Sequence, residues 1–384
     1  MQHFQHLIQL STNDTSDIIV KNTYYDNGKL KTKKTYKNDQ LIQYINYYSD
    51  GSIERKENYS NNELHGTCIY NFYGGSLEQE ENYSHGKRHG RCIYYNDNIR
   101  LKKYENYSEG KRHGLCKYYH NDGKLEKEEN YSHGKLHGLC IYYNENGKLE
   151  KKENYSEGKR HGLCKYYSDG KLEKKENYSE GKRHGECRYY HNLHNPWNHN
   201  KEHPLEKEEN YSHGKFHGHC IYYNEKGTLK KEENYSEGKR HGLCKYYHNN
   251  GKLEKKENYS EGKRHGLCKY YYNDGKLEKK ENYSEGKRHG LCKYYYPNRK
   301  LEKEENYSHG KLHGLCIYYN EKGTLKKEEN YSHGNRHGLC KYYYPNRIEK
   351  EENYFHGKHR IIKLRPWLYK YYYLDGTLKK EEIY

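Results

Sequence analysis

A cysteine recurs at the same place in twelve successive stretches of this chain, from Cys68 to Cys340. Histidine often stands three residues before it, as His113 stands before Cys116. Thiols and imidazoles are metal ligands and nucleophiles, so three chemistries must be weighed. A disulfide needs Cα atoms within about 7 Å. If each stretch is a hairpin, equivalent cysteines lie two strands apart, about 9.6 Å. Structural zinc takes four close ligands; one stretch offers two, and its neighbour lies too far away to complete the set. A catalytic thiol needs one cysteine distinguished by a partnered base, and twelve equivalent positions distinguish none. What remains is a small buried hydrophobe.

Two other sets of residues could do chemistry. His191, His194, His199 and His203 fall in the segment HNLHNPWNHNKEHP. Their spacing of three to five suits a metal clip, and also suits a drifted insertion in a His- and Asn-rich chain. The second set is a series of Lys–Arg pairs in the recurring phrase EGKRHG: Lys111 and Arg112, Lys159 and Arg160, Lys182 and Arg183, Lys239 and Arg240, Lys263 and Arg264, Lys287 and Arg288. On one edge of a sheet they would form a row spaced about 9.6 Å, close to the Debye length at moderate salt. Such a row attracts polyanions or a charged membrane. Leu136, Phe216 and Leu312 interrupt it, and Glu109 and its equivalents offset its charge. No nucleotide-binding glycine motif, nucleophile elbow or HExxH helix occurs. The expectation is a non-catalytic protein without a cofactor.

The elements that must position these residues are set by a repeat. The tyrosine of the phrase ENYS returns at Tyr59, Tyr83, Tyr107, Tyr131, Tyr155 and Tyr178, then from Tyr211 to Tyr331, and as ENYF at Tyr354. A fixed short period means one array rather than several globular domains. Tyrosine accounts for 52 of 384 residues. Leu, Ile, Val and Phe together make up only about 14%, below the roughly 20% under which a chain reads as disordered. Tyrosine rings, each with an apolar body and a wet hydroxyl, must therefore supply the buried surface. The net charge is +17, with both signs mixed inside every copy, which favours anionic partners in general.

One copy runs from Leu253 to Lys276. It predicts a strand over Leu253 to Ser260, a turn at EGKRHG, a second strand from Leu267 to Tyr272, and a turn at Asn273, Asp274 and Gly275. Cys268 and Tyr270 share one face; Leu267, Lys269 and Tyr271 share the other. The position between Cys and Tyr accepts Ile69, Lys117 and Arg188, so it is half exposed and the Cys face points inward. In the first strand, strict alternation puts Leu, Lys, Glu and Tyr on one face. A bulge would reset that phase.

The order Y-x-x-G-K-x-x-G, a short strand ending in Tyr-Tyr, then N-x-G-K-L resembles MORN repeats, above all the variant type of bacterial YwqK-like antitoxin modules. The resemblance covers residues 53–354, with degenerate copies on both sides. It implies an all-β, elongated solenoid or meander of tandem 24-residue hairpins. It also implies scaffolding, membrane-lipid contact or antitoxin-type protein binding, with no shared catalytic site. This chain carries Cys where a large side chain is expected, and Glu105, Glu129 and Glu153 where the family often has Gly.

The resulting map has an N-terminal cap at 1–17, degenerate repeats at 18–52, repeats at 53–190, a His/Asn-rich insertion at 191–204, repeats at 205–354, and a degenerate repeat with cap at 355–384. No run of about 18 apolar residues could cross a membrane as a helix. The first residues carry no basic and apolar pattern of a secretory leader. Together with the thiols these predict a reducing, cytoplasmic setting or a peripheral place on a membrane. The expected partner is a protein held on a Tyr-rich, basic-edged surface; an anionic lipid or nucleic acid contacted through the Lys–Arg turns is the alternative.

Overall fold

The repeat builds hairpins of two unequal strands joined by two kinds of tight turn, as a computed structural model describes for residues 18–191, 204–344, 347–355, 357, 368–372 and 377–383. The N-terminal cap (1–17) and the cap residues Ile361, Ile362, Leu364 and Trp367 lie outside the described residues. The chain divides into two compact units, Met1–Arg183 with His194–His203, and His184–Leu193 with Pro204–Tyr384. Among the described residues all regular structure is β, and the pairing within each unit is antiparallel between chain neighbours. Among the described residues no helix is long and apolar enough to cross a membrane.

The copy starting at Leu229 shows how sequence sets geometry. Its long strand is Leu229–Ser236. Glu237 and Gly238 follow, both with positive φ, 50° and 82°. Two such residues make the primed turn whose twist suits a hairpin. A two-residue bridge, Lys239–Arg240, returns opposite Tyr235 and Ser236. His241 and Gly242 then kink the chain, with the His241 amide donating to the Asn234 carbonyl. The short strand is Gly242–Tyr247. A turn closed by Gly251, φ 80°, leads to the next long strand, Leu253–Ser260. Its amide donates to the His248 carbonyl, 2.8 Å away, the three-residue loop with a left-handed last residue. Most copies place glycine there; Ile99 and Arg299 take φ 59° and 71° instead.

The bulge that the first strand calls for is present in every regular copy. Tyr246 pairs with Lys255 and Tyr247 with Leu253, so Glu254 is left over. Beyond that extra residue Lys255, Glu257 and Tyr259 share the face of Cys244 and Tyr246. The core lies on this one face. All twelve cysteines are fully buried, and none is joined in a disulfide. Tyrosine rings cover them, and Tyr94, Tyr211 and Tyr259 are themselves buried. Each ring contributes 150–250 Å² of surface, about 25 cal/mol per Å² buried, which lets one sheet face act as a core in a chain poor in aliphatics.

Candidate interaction surfaces

The most deeply buried polar side chain of each copy is the glutamate of ENYS. Glu233 is fully buried and sits opposite Cys220. Its Oε1 accepts from Tyr246 Oη at 2.8 Å and from Arg240 at 2.8 Å. Its Oε2 accepts from Tyr235 Oη at 2.9 Å and from Lys231 Nζ at 2.7 Å. Each cation also covers a ring. Lys231 Nζ lies 4.0 Å from the Tyr222 centroid, and Arg240 lies 5.5 Å from that of Tyr259 in the next copy. Isolating a carboxylate from water costs several kcal/mol unless its lone pairs are filled; here both oxygens are filled twice. Burial alone would raise the pKa of Glu233, but the bonds from Lys231 and Tyr246 and the lysine charge hold it below the ordinary value. The same pattern returns at Glu105, Glu153, Glu281 and Glu329.

This network changes the reading of the Lys–Arg turns. The two side chains of a pair part company. Arg112, Arg160, Arg183, Arg240, Arg264 and Arg288 turn inward onto Glu105, Glu153, Glu176, Glu233, Glu257 and Glu281. Their charge is spent on closing the core. Where Leu136, Phe216 or Leu312 replaces the arginine, Glu129, Glu209 and Glu305 are 4–6% exposed rather than sealed at 0–1% as at Glu105, Glu153 and Glu233. Phe216 instead stacks between Tyr211 and Tyr235. The lysines stay outside. Lys159, Lys239 and Lys263 pair with Glu180, Glu261 and Glu285 of the following turn. Lys111, Lys182 and Lys287 are exposed, and for Lys111 and Lys287 the next turn carries His133 or His309 in place of that glutamate. Within each unit the turn edge thus carries lysines, some of them neutralised, rather than Lys–Arg pairs.

The described thiols are buried, and the described imidazoles join no metal-type cluster. Burial raises every cysteine pKa for which a shift is resolved, to about 11 at Cys140 and Cys316, so the thiolate needed by a nucleophile or a metal is scarce at neutral pH. Among the described residues no three His, Cys, Asp or Glu side chains come together. His191 is half-buried with Nε2 unpartnered; His194, His199 and His203 lie outside the described residues.

The face opposite the cysteines is open. Leu243, Leu267, Leu291, Leu315 and Leu339 stand on it in five successive copies, each exposed at 37–42%. Alongside runs a line of half-buried tyrosines, Tyr247, Tyr271, Tyr295, Tyr319 and Tyr343. Between these bands lies a third row, from Lys245 to Lys341, whose members are set by strand register. The sequence signal for the buried glutamate was its constancy beside a variable neighbour: Glu105, Glu129 and Glu153 follow Tyr104, Glu128 and Lys152. The Leu band could have been found the same way.

The profile of the family described as "MORN repeat variant" matches residues 22–38, 112–133, 136–157, 160–180, 216–237, 240–261, 264–285 and 312–333. That of "MORN repeat" matches 82–99, 177–192, 282–300 and 330–347. Together they cover more than half of the chain. The protein belongs to the MORN-repeat family. A matched segment such as 240–261 spans one short strand, the turn at Gly251 and the next long strand, so the expected hairpin-per-repeat fold holds. No curated protein matches the chain. Among solved structures, a TcdB2-TccC3-TEV chain aligns with 98% of this MORN protein at 10% identity and TM-score 0.17, and a TcdB2-TccC3 chain with 96% at 11% and 0.17. This chain spans 22–23% of their length. A porin-like protein from Bacteroides uniformis ATCC 8492 aligns with 65% of this chain, over 92% of its own length, at 9% identity and TM-score 0.11. None of these superpositions carries a fold or a function across to the MORN repeats here.

Proposed function

We propose that this MORN-repeat protein is a non-catalytic scaffold that holds a protein partner on the sheet face opposite its cysteines. One observation carries the reading: the Cys face spends its glutamates, arginines and tyrosine hydroxyls on its own core, while the other face exposes one leucine per copy over five successive copies. A repeated apolar band of this kind costs solubility unless something covers it. Tyrosine is a common anchor at interfaces, and the exposed leucines beside it add apolar surface for a partner to cover. The expected Tyr-rich surface is therefore shared between the faces, with the half-buried tyrosines of the Leu face left to a partner. The test replaces Leu243, Leu267, Leu291 and Leu315 with serine. Those side chains are exposed, so circular dichroism and melting should stay within a few degrees of the parent. Chemical crosslinking in the native host should lose its protein adducts in the variant. Adducts that persist unchanged would overturn this reading.

A further inference from the structure

The row between the Leu and Tyr bands breaks a rule of sheet pairing. In most of the chain, neighbours in this row differ in charge or are neutral: Lys117 faces Glu128, and Glu304 faces Ile317. In two runs they do not: a short one, Lys152 opposite Lys165 and Lys165 opposite Lys175, and a longer one between residues 245 and 293. Lys245 faces Lys256, Lys256 faces Lys269, Lys269 faces Lys280, and Lys280 faces Lys293. Five lysines stand directly opposite one another across five strands, a line roughly 19 Å long. Glu232 bridges to Lys245 at one end and Glu304 to Lys293 at the other. Among the described ion pairs Lys256, Lys269 and Lys280 have none. Like charges directly opposite are destabilising, and neighbours about 5 Å apart sit well inside one Debye length. A local rule broken without compensation marks a site with another purpose.

We propose that this row is the binding site for an acidic protein segment. The inference rests on the scaffold reading and names its partner's chemistry. The flanking bands choose among polyanions. Leu243, Leu267 and Leu291 line one side and Tyr247, Tyr271 and Tyr295 the other. Leucine offers no hydrogen bond to the sugars and bases of a nucleic acid, whereas a protein segment with carboxylates between apolar side chains meets all three bands. Desolvated by those bands, each lysine–carboxylate pair gains more than an exposed pair does. The turn-edge lysines lack any such apolar flank.

The probe is a fluorescein-labelled 20-residue peptide of Glu and Leu, beside the same peptide with Gln for Glu, a 20-nucleotide oligo-dT, and phosphatidylserine–phosphatidylcholine vesicles. The comparison protein carries Lys256→Gln, Lys269→Gln and Lys280→Gln. Its fold is secure because equivalent positions hold Ile, Arg or Glu elsewhere, and its Tm should rise as the repulsion is relieved. The acidic peptide should bind the parent, weaken at least tenfold between 50 and 300 mM salt, and weaken at least tenfold in the triple variant. The Gln peptide should not bind. No binding of the acidic peptide, or equal binding by the variant, overturns the proposal. So does tighter, lysine-dependent binding of oligo-dT or vesicles. If the peptide fails while adducts still depend on the four leucines, the lysine site falls and the scaffold stands.

Discussion

Glu233 shows how a charged residue becomes core. Its carboxylate is fully buried and takes four donors, two of them cations that also lie over tyrosine rings. Replacing it with alanine would leave Arg240 and two hydroxyls facing an apolar floor, so Glu233→Ala should cost about 3 kcal/mol. Urea unfolding at pH 7 measures it. Glu233→Gln, which keeps the shape, should cost less. The pH dependence has a definite sign. A carboxylate held below its ordinary value in the folded state stabilises the fold above that value and loses this as pH falls through its folded pKa. With Glu105, Glu153, Glu233, Glu281, Glu329 and Glu352 all lowered from 4.5, melting temperature should be flat from pH 7 to about 5 and fall steeply below 4.5. A melting temperature indifferent to pH down to 3 would mean the network is not ionised as drawn. None of this was legible in single copies. Glutamate among lysines reads as a solvated face, and only its constancy across copies marks it as buried.

At the scale of elements, turn positions were legible and strand phase was not. The glycines and the Asn-Asp-Gly sequence located both turns, because few residues accept positive φ. Strict alternation of the first strand gave a face mixing Leu with Glu, and the bulge at Glu254 and its equivalents resolved it. The bulge has no residue signature of its own. The lysine row was hidden for a different reason: each lysine is ordinary in its own copy, and only the register between copies sets five side by side. The turns also carry a local defect. Ile99 stands at φ 59° where most copies have glycine, and it is 58% exposed. A β-branched residue there is strained by about 1–2 kcal/mol, and its exposed side chain returns little through packing. Glycine gives back part of the gain as chain entropy. Ile99→Gly should therefore stabilise the protein by about 0.5–1 kcal/mol in urea unfolding, while the same change at Ile93, which is half-buried within a strand, should destabilise it.

For the molecule as a whole, the separation between what folds the array and what gives it a partner can be tested by shortening it. Among the described residues strands pair with their neighbours along the chain, so stability should add copy by copy. Deleting residues 253–300 removes two whole copies and joins Lys252 to Leu301. The strand Gly242–Tyr247 would then meet Leu301–Ser308, with Lys245 opposite Glu304. That is the pairing Lys293 and Glu304 already make, and Cys244 would face Glu305 as Cys292 does. The shortened protein should fold, with unchanged ellipticity per residue and a urea m-value reduced with the surface it no longer buries. It should also lose the acidic peptide, since Lys256, Lys269, Lys280 and Lys293 are gone. Deleting 205–252 instead joins Pro204 to Leu253, removes as many copies, and keeps those four lysines. It should bind. An unfolded product from either deletion would contradict the additive array. Two folded products that bind alike would show that the lysines between 245 and 293 have no part in recognition, which would then lie in repeats that both products keep.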